Sequence, residues 1–226
     1  MASVHRPRTR GRPVRLAHLK ARESLLDAAV ALFAEKGVAA TTAVEIAARA
    51  GVTPALVHYY FRPRERLLDA VVDERLSRFV AHAVRALPAL PAPASASALI
   101  DALVDGVFDA ARRMPWMPPI WIREIVSGGG LLRGRMIRHL PVHVITALQA
   151  ALADGKRRGK VAHDIDPAFA FLSIAGATLF PLATRSLWSH FPGGGALSAA
   201  RLRRHAHAML SGGLTGPARR PARTSR

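Results

Sequence analysis

Residues 42–61 read TAVEIAARAGVTPALVHYYF, and this stretch decides the fold. The spacing predicts two short helices joined by a tight turn. Thr42 can cap the first, and Glu45 three residues later can reach back to close a capping box. Ala43, Ile46, Ala47 and Ala50 follow at helical spacing and give a small, close-packing apolar face. Gly51 supplies the left-handed residue that stops this helix, and Val52 plugs the corner. Thr53 stands where it can cap the second helix, with Pro54 in the first turn, where a missing N–H costs nothing. Val57 points inward, so Pro54, Ala55, His58 and Tyr59 fall on the opposite side. A capped helix, a Gly turn and a second capped helix make the helix-turn-helix pattern, whose second helix reads base edges in the major groove.

The alternative is an ordinary helical corner, and the neighbouring residues argue against it. Tyr59, Tyr60 and Phe61 are consecutive aromatics in a chain with only 6% aromatic residues. Arg62, Arg64 and Arg66 follow, spaced for phosphates. Upstream, residues 1–22 carry Arg6, Arg8, Arg10, Arg12, Arg15, Lys20 and Arg22 and no acid. Residues 1–18 are expected to be a disordered basic arm that lies along a DNA backbone or enters a minor groove. The whole chain of 226 residues has a formal charge of +18, which favours a polyanionic partner.

Composition narrows the classes further. Half of the residues are hydrophobic, enough for a sizeable core and too many for a disordered chain. The absence of cysteine excludes disulfide scaffolds, thiol nucleophiles and thiolate metal sites. No apolar segment follows the basic N-terminus, so no secretory signal is read and a cytoplasmic location is the expectation.

The remaining residues read as helices. Leu19 to Lys36 is amphipathic through Leu26, Ala29, Val30 and Phe33, and Gly37 ends it. Pro63 opens a long helix, expected from Arg64 to Leu87, with Leu67, Leu68, Val71, Val72, Leu76 and Val80 buried. A Pro-Ala loop over 88–97 precedes helical segments at 98–113, 115–126, 131–139 and 142–158. Residues 167–183 contain no charge, about the lower limit for crossing a bilayer. Pro181 interrupts them, so a core helix that also forms a subunit interface is preferred to a membrane span. A last helix is expected over 196–210 and a basic disordered tail over 214–226. No strand alternation and no internal repeat are visible.

Catalytic chemistry is not supported: no Ser or Thr has an evident base, and no glycine-rich loop follows a strand. His139 and His143 have ligand spacing, but Pro141 lies between them. His163, Asp164 and Asp166 precede a helix that Asp166 caps, and no metal or cofactor is expected. His205 and His207 diverge on a helix and read as surface. Trp116, Met117, Trp121, Arg123 and Glu124, with Phe108 one helix earlier, are either core or the wall of an apolar ligand cavity with few polar groups.

The chain resembles the tetracycline-repressor-like (TetR) family of one-component bacterial regulators. The resemblance rests on Arg22–Ala29 with Leu32, Phe33 and Gly37, on Thr41, Thr42, Ile46, Ala47 and Ala50–Thr53, and on Val57–Phe61 with Arg64, Glu65, Leu67 and Leu68. It covers the first third of the chain in detail and the remainder only as architecture. It implies an all-α fold, with a helix-turn-helix domain over 19–65 and a helical ligand-binding and dimerisation domain over 66–213. It implies a homodimer whose final two long helices form a four-helix bundle, and a repressor released from a palindromic operator by a small-molecule effector. Thr53, Pro54, Ala55, His58 and Tyr59 are the expected groove contacts; Thr42, Tyr60 and Arg64 are the expected phosphate contacts. His58 stands where many relatives carry Tyr, so base preference does not transfer. A basic architectural protein that coats DNA without sequence choice or ligand is the competing reading.

Overall fold

The computed structural model describes residues 12–90 and 93–215; the expectations for 1–11 and 216–226 lie outside the described residues. All regular structure among these residues is helical. The chain divides into two compact units between Arg75 and Leu76.

The first unit contains α1 (Arg12–Lys36), α2 (Ala43–Ala50), α3 (Pro54–Tyr60) and α4 (Arg64–Val71). Leu25, Leu26, Ala29, Val30 and Phe33 of α1 are buried with Ile46, Ala47, Val57, Phe61, Leu67 and Leu68. Helix α1 begins at Arg12, earlier than the expected Leu19, so part of the expected arm is helical. Pro13 does not prevent this, because proline is tolerated in the first turn of a helix, where the N–H it lacks would have no partner in the helix.

Ion pairs brace this unit. Arg75, only 6% exposed, donates from Nε to Asp27 Oδ1 at 2.7 Å and from Nη2 to Glu23 Oε2 at 2.7 Å. Those bonds tie the residues that follow α4 back to α1, within a unit that runs to Arg75. Arg22 grips Glu74 with two bonds of 2.7 and 2.5 Å, and Arg49 grips Glu35 with two bonds of 2.7 Å.

A π-helical turn, Val72–Leu76, follows α4 and leads into α5 (Ser77–Val84), where one continuous α-helix to Leu87 was expected. The extra residue in the turn shifts the register, so Phe79 is buried while Val80 is only half-buried.

The second unit continues with α6 (Ala96–Arg113), α7 (Met117–Ile120), a π turn (Trp121–Val126), α8 (Arg133–Met136), α9 (Val142–Arg157), α10 (Ala170–Ala183) and α11 (Ala199–Thr215). Short 3-10 segments connect several of them. Ile100, Leu103, Val104, Met117, Ile120, Leu148, Leu152, Ile174, Leu179 and Leu210 form its core. Helix α6 packs against both α5 and α11. At its contact with α5 no side chain fits: a Cβ built on Gly106 would stand 1.9 Å from the Ala83 carbonyl oxygen.

At the α6–α11 contact the chemistry is polar. Arg203 Nε donates to Asp105 Oδ1 at 2.7 Å. His207 lies 2.7 Å from Asp101 Oδ1 through Nδ1 and 2.5 Å from Asp105 Oδ1 through Nε2, and Ser211 donates to Asp101 at 2.6 Å. His207 was expected to be a surface residue and is instead held between two carboxylates. An imidazole bonded to both must carry a proton on each nitrogen. Burial pulls its pKa down, but the two aspartates outweigh that and raise it above the usual histidine value.

Helix α10 spans 14 residues, and no described helix is long and apolar enough to cross a membrane. Ala170, Ile174, Thr178, Leu179 and Leu182 face inward. Leu172 and Phe180 are exposed on α10, as are Phe169 before it and Met209 on α11.

Candidate nucleic-acid interface

Helix α2 starts as the sequence dictates. The Thr42 hydroxyl accepts from the Glu45 N–H at 3.3 Å, and Glu45 Oε2 accepts from the Thr42 N–H at 2.9 Å. Lys36 also bonds Glu45, and these contacts, Lys36 first and then Thr42, hold the Glu45 carboxyl down to about 2. At the other end Gly51 has φ +68°, the left-handed conformation a side chain would strain.

Helix α3 has Thr53 at its N-cap and Pro54 in its first turn, but the Thr53 side chain makes no capping bond. Its hydroxyl is therefore an exposed group and not the helix cap that was expected. Val57 anchors the helix in the core, and Pro54, Ala55, His58 and Tyr59 are all exposed on the other side. Tyr59 is 73% exposed, unusual for so large an aromatic group. Its ring meets Tyr60 edge to face, with centroids 5.0 Å apart at 78°, and His18 of α1 lies 6.3 Å from both rings.

The three expected phosphate contacts have internal tasks. Thr42 spends its N–H and its hydroxyl proton on Glu45, the latter at 2.8 Å. Tyr60 donates its phenol to the His18 carbonyl at 3.0 Å and joins α3 to α1. Arg64 donates to the carbonyls of Val38 at 2.5 Å and Thr41 at 3.0 Å, fixing the loop that launches α2. Arg22, one of the basic residues before α2, is engaged by Glu74 and stands over the Phe61 ring at 5.4 Å. Lys20, Arg62 and Arg66 are exposed and have neither a carboxylate nor a carbonyl partner for their side chains among the described residues, whereas Arg64 is exposed but bonded to the two carbonyls. The Arg62-x-Arg64-x-Arg66 spacing was the available signal, but it does not say which arginine turns inward.

The six expected ligand residues do not form one wall. Met117 is fully buried core, and Phe108 lies in the floor of a cavity of about 450 Å³ between α6, α7, α10 and α11. Trp121 borders a wholly apolar gap of about 50 Å³ with Phe79, Leu103 and Ile174. Glu124 is 5% exposed and accepts the Leu131 N–H at 3.2 Å, closing the glycine turn over 128–130. Trp116 is half-buried and Arg123 is exposed. No group of three metal-ligating side chains occurs among the described residues, and His163 and Asp164 are almost fully exposed.

Residues 25–71 match the family model for bacterial regulatory proteins of the tetR family, and residues 97–211 match a tetracyclin repressor-like C-terminal domain. The HTH-type transcriptional regulator BetI of Rhizobium meliloti (strain 1021) is 34% identical over 136 residues, 60% of this chain and 64% of that protein. The chain thus spans less than two thirds of the length of the relatives it matches. Among solved structures, AibR in complex with isovaleryl coenzyme A and operator DNA superposes with a TM-score of 0.66 at 19% identity, covering 88% of this chain and 99% of that one. The ketosteroid transcriptional regulator KstR2 of Mycobacterium tuberculosis superposes at 0.65 with 22% identity, covering 86% and 94%.

Proposed function

This chain belongs to the tetR family of bacterial regulatory proteins, and on that footing we propose that it is a cytoplasmic, DNA-binding transcriptional repressor. It binds a palindromic operator as a homodimer and leaves it when a small molecule occupies the second unit. The observation that carries the reading is the α3 surface, where Pro54, Ala55, His58 and Tyr59 are exposed together opposite buried Val57. A short helix presenting one exposed face above a capped supporting helix is the form that enters a major groove. Thr53 adds a free hydroxyl to that face, and Lys20, Arg62 and Arg66 supply phosphate contacts around it.

Thr42, Tyr60 and Arg64 act one step back. They hold α2 and α3 at the angle the groove requires, and the backbone they fix stays beside the phosphates. The exposed Leu172 and Phe180 of α10, with Met209 of α11, support a second copy as the cover for this apolar face. AibR, similar in fold, was solved in complex with isovaleryl coenzyme A and operator DNA, which supports a regulator that has both a DNA site and a small-molecule site here.

The test is a footprint on DNA flanking the protein's own gene. A protected palindrome is expected, lost in Tyr59→Ala while the mass in solution remains that of a dimer. Equal retardation of every duplex, with steep salt dependence and no preferred site, would instead assign a basic coating protein.

A further inference from the structure

The cavity of about 450 Å³ between α6, α7, α10 and α11 has a composition that names a class of ligand. Its floor is apolar: Phe108, Pro118 and Leu182 are all buried. Its border carries Arg112, Arg185 and Arg203, against the single carboxylate of Asp109. Arg203 is already occupied, at 2.7 Å from Asp105 and 3.6 Å from Asp109. Arg112 and Arg185 have no carboxylate partner among the described residues. Arg185 stands 5.7 Å over the Trp188 ring, a contact that positions a guanidinium without neutralising it.

We propose that this cavity binds a small amphipathic anion, with its apolar body on Phe108 and Leu182 and its carboxylate or phosphate head between Arg112 and Arg185. Two uncompensated guanidinium groups at the rim of an apolar floor favour an anion that takes paired N–H donors. The volume falls within the range of small-molecule sites, so one compact body fits. A larger opening of about 1000 Å³ lies between the start of α6 and the end of α9. It is a weaker candidate, because its Arg157 and Arg158 are both engaged by Asp154. The proposal rests on the reading of the second unit as the sensor and gives that sensor a ligand chemistry.

The experiment is calorimetry on the full chain without DNA, with 4-phenylbutyrate, 4-phenylbutyl phosphate and octanoate as anions and 4-phenylbutanol and octanol as neutral counterparts. At least one anion is expected to bind at least tenfold more tightly than its alcohol, and the phosphate against the carboxylate identifies the head group. Arg112→Gln/Arg185→Gln should remove that advantage without changing the melting temperature, since both side chains are exposed. Leu182→Trp should block anion and alcohol alike. Anions that bind no better than their alcohols, or a double variant that binds as the wild type, would overturn the site. Operator binding is measured separately without ligand. A protein that shifts its operator but ignores every anion loses this proposal alone; one that binds anions but no operator keeps the site and loses the regulator.

Discussion

The two units of the chain are held together by different physics. In the first, helix ends and ion pairs fix nearly every junction: Thr42 with Glu45, Gly51, Arg64 on the Val38–Thr41 loop and Arg75 on α1. In the second, the junctions are π and 3-10 turns, and α6 is placed by a bare glycine on one side and a row of aspartates on the other. A unit that must present a face at one angle benefits from short, directional bonds. A unit built by packing apolar helix faces is specified mainly by volume, which many sequences satisfy. The same chain therefore carries a module defined by local chemistry and a module defined by packing.

Gly106→Ala should separate the units most strongly. Its methyl would overlap the Ala83 carbonyl, and overpacking of that severity costs about 3 kcal/mol. Thermal unfolding followed by tryptophan fluorescence reports the second unit alone, because Trp116, Trp121 and Trp188 all lie there. A large fall in that transition with an unchanged tyrosine signal from Tyr59 and Tyr60 is expected; equal falls in both would mean that the units unfold as one. Next in size is Glu23→Gln/Asp27→Asn, which leaves the buried Arg75 without its carboxylates and should cost the first unit about 2 kcal/mol in denaturant melts. Thr42→Ala should cost about 1 kcal/mol through the lost cap, whereas Thr53→Ala, which removes no cap bond, should stay within about 0.5 kcal/mol. A Thr53 loss as large as that of Thr42 would contradict the cap geometry.

Acid and base should act on the units in opposite directions, with the smallest effects. Glu45 is lowered from 4.5 to about 2, so its contribution is complete above 4.5 and is lost as the pH falls toward 2. His207 is raised above 6.5, so its contribution is complete below 6.5 and is lost as the pH rises through the raised value. The tryptophan-reported transition should fall on the alkaline side and His207→Asn should flatten that slope, while Glu45→Gln should flatten the acid limb of the tyrosine signal. A slope unaltered in His207→Asn would remove the histidine from the pH response.

What could be read from the chain without coordinates follows the same division. The capping box, the Gly51 stop and the inward turn of Val57 are written within a few residues of one another, so spacing alone reveals them. Which charged side chains face inward is not local. Arg64 finds its acceptors 23 and 26 residues away, and His207 finds its aspartates 102 and 106 residues away. Arg64 was therefore expected on a phosphate and His207 on the surface. The π turns escaped for another reason: a single added residue leaves the apolar pattern of VDERL and WIREIV nearly helical. Size and aromaticity are shared by core and cavity wall, so Phe108 and Trp121 border spaces while Met117 is filling.

Gly106 bears on how a signal travels through the second unit. Where two helices touch backbone to backbone, there are no flexible side chains between them to absorb displacement, and a shift along either axis meets the carbonyl of the other. Helices α5 and α6 are thereby held at one point with no slack between their backbones. Any displacement of α6 is therefore expected to carry α5 with it, with the glycine as fulcrum.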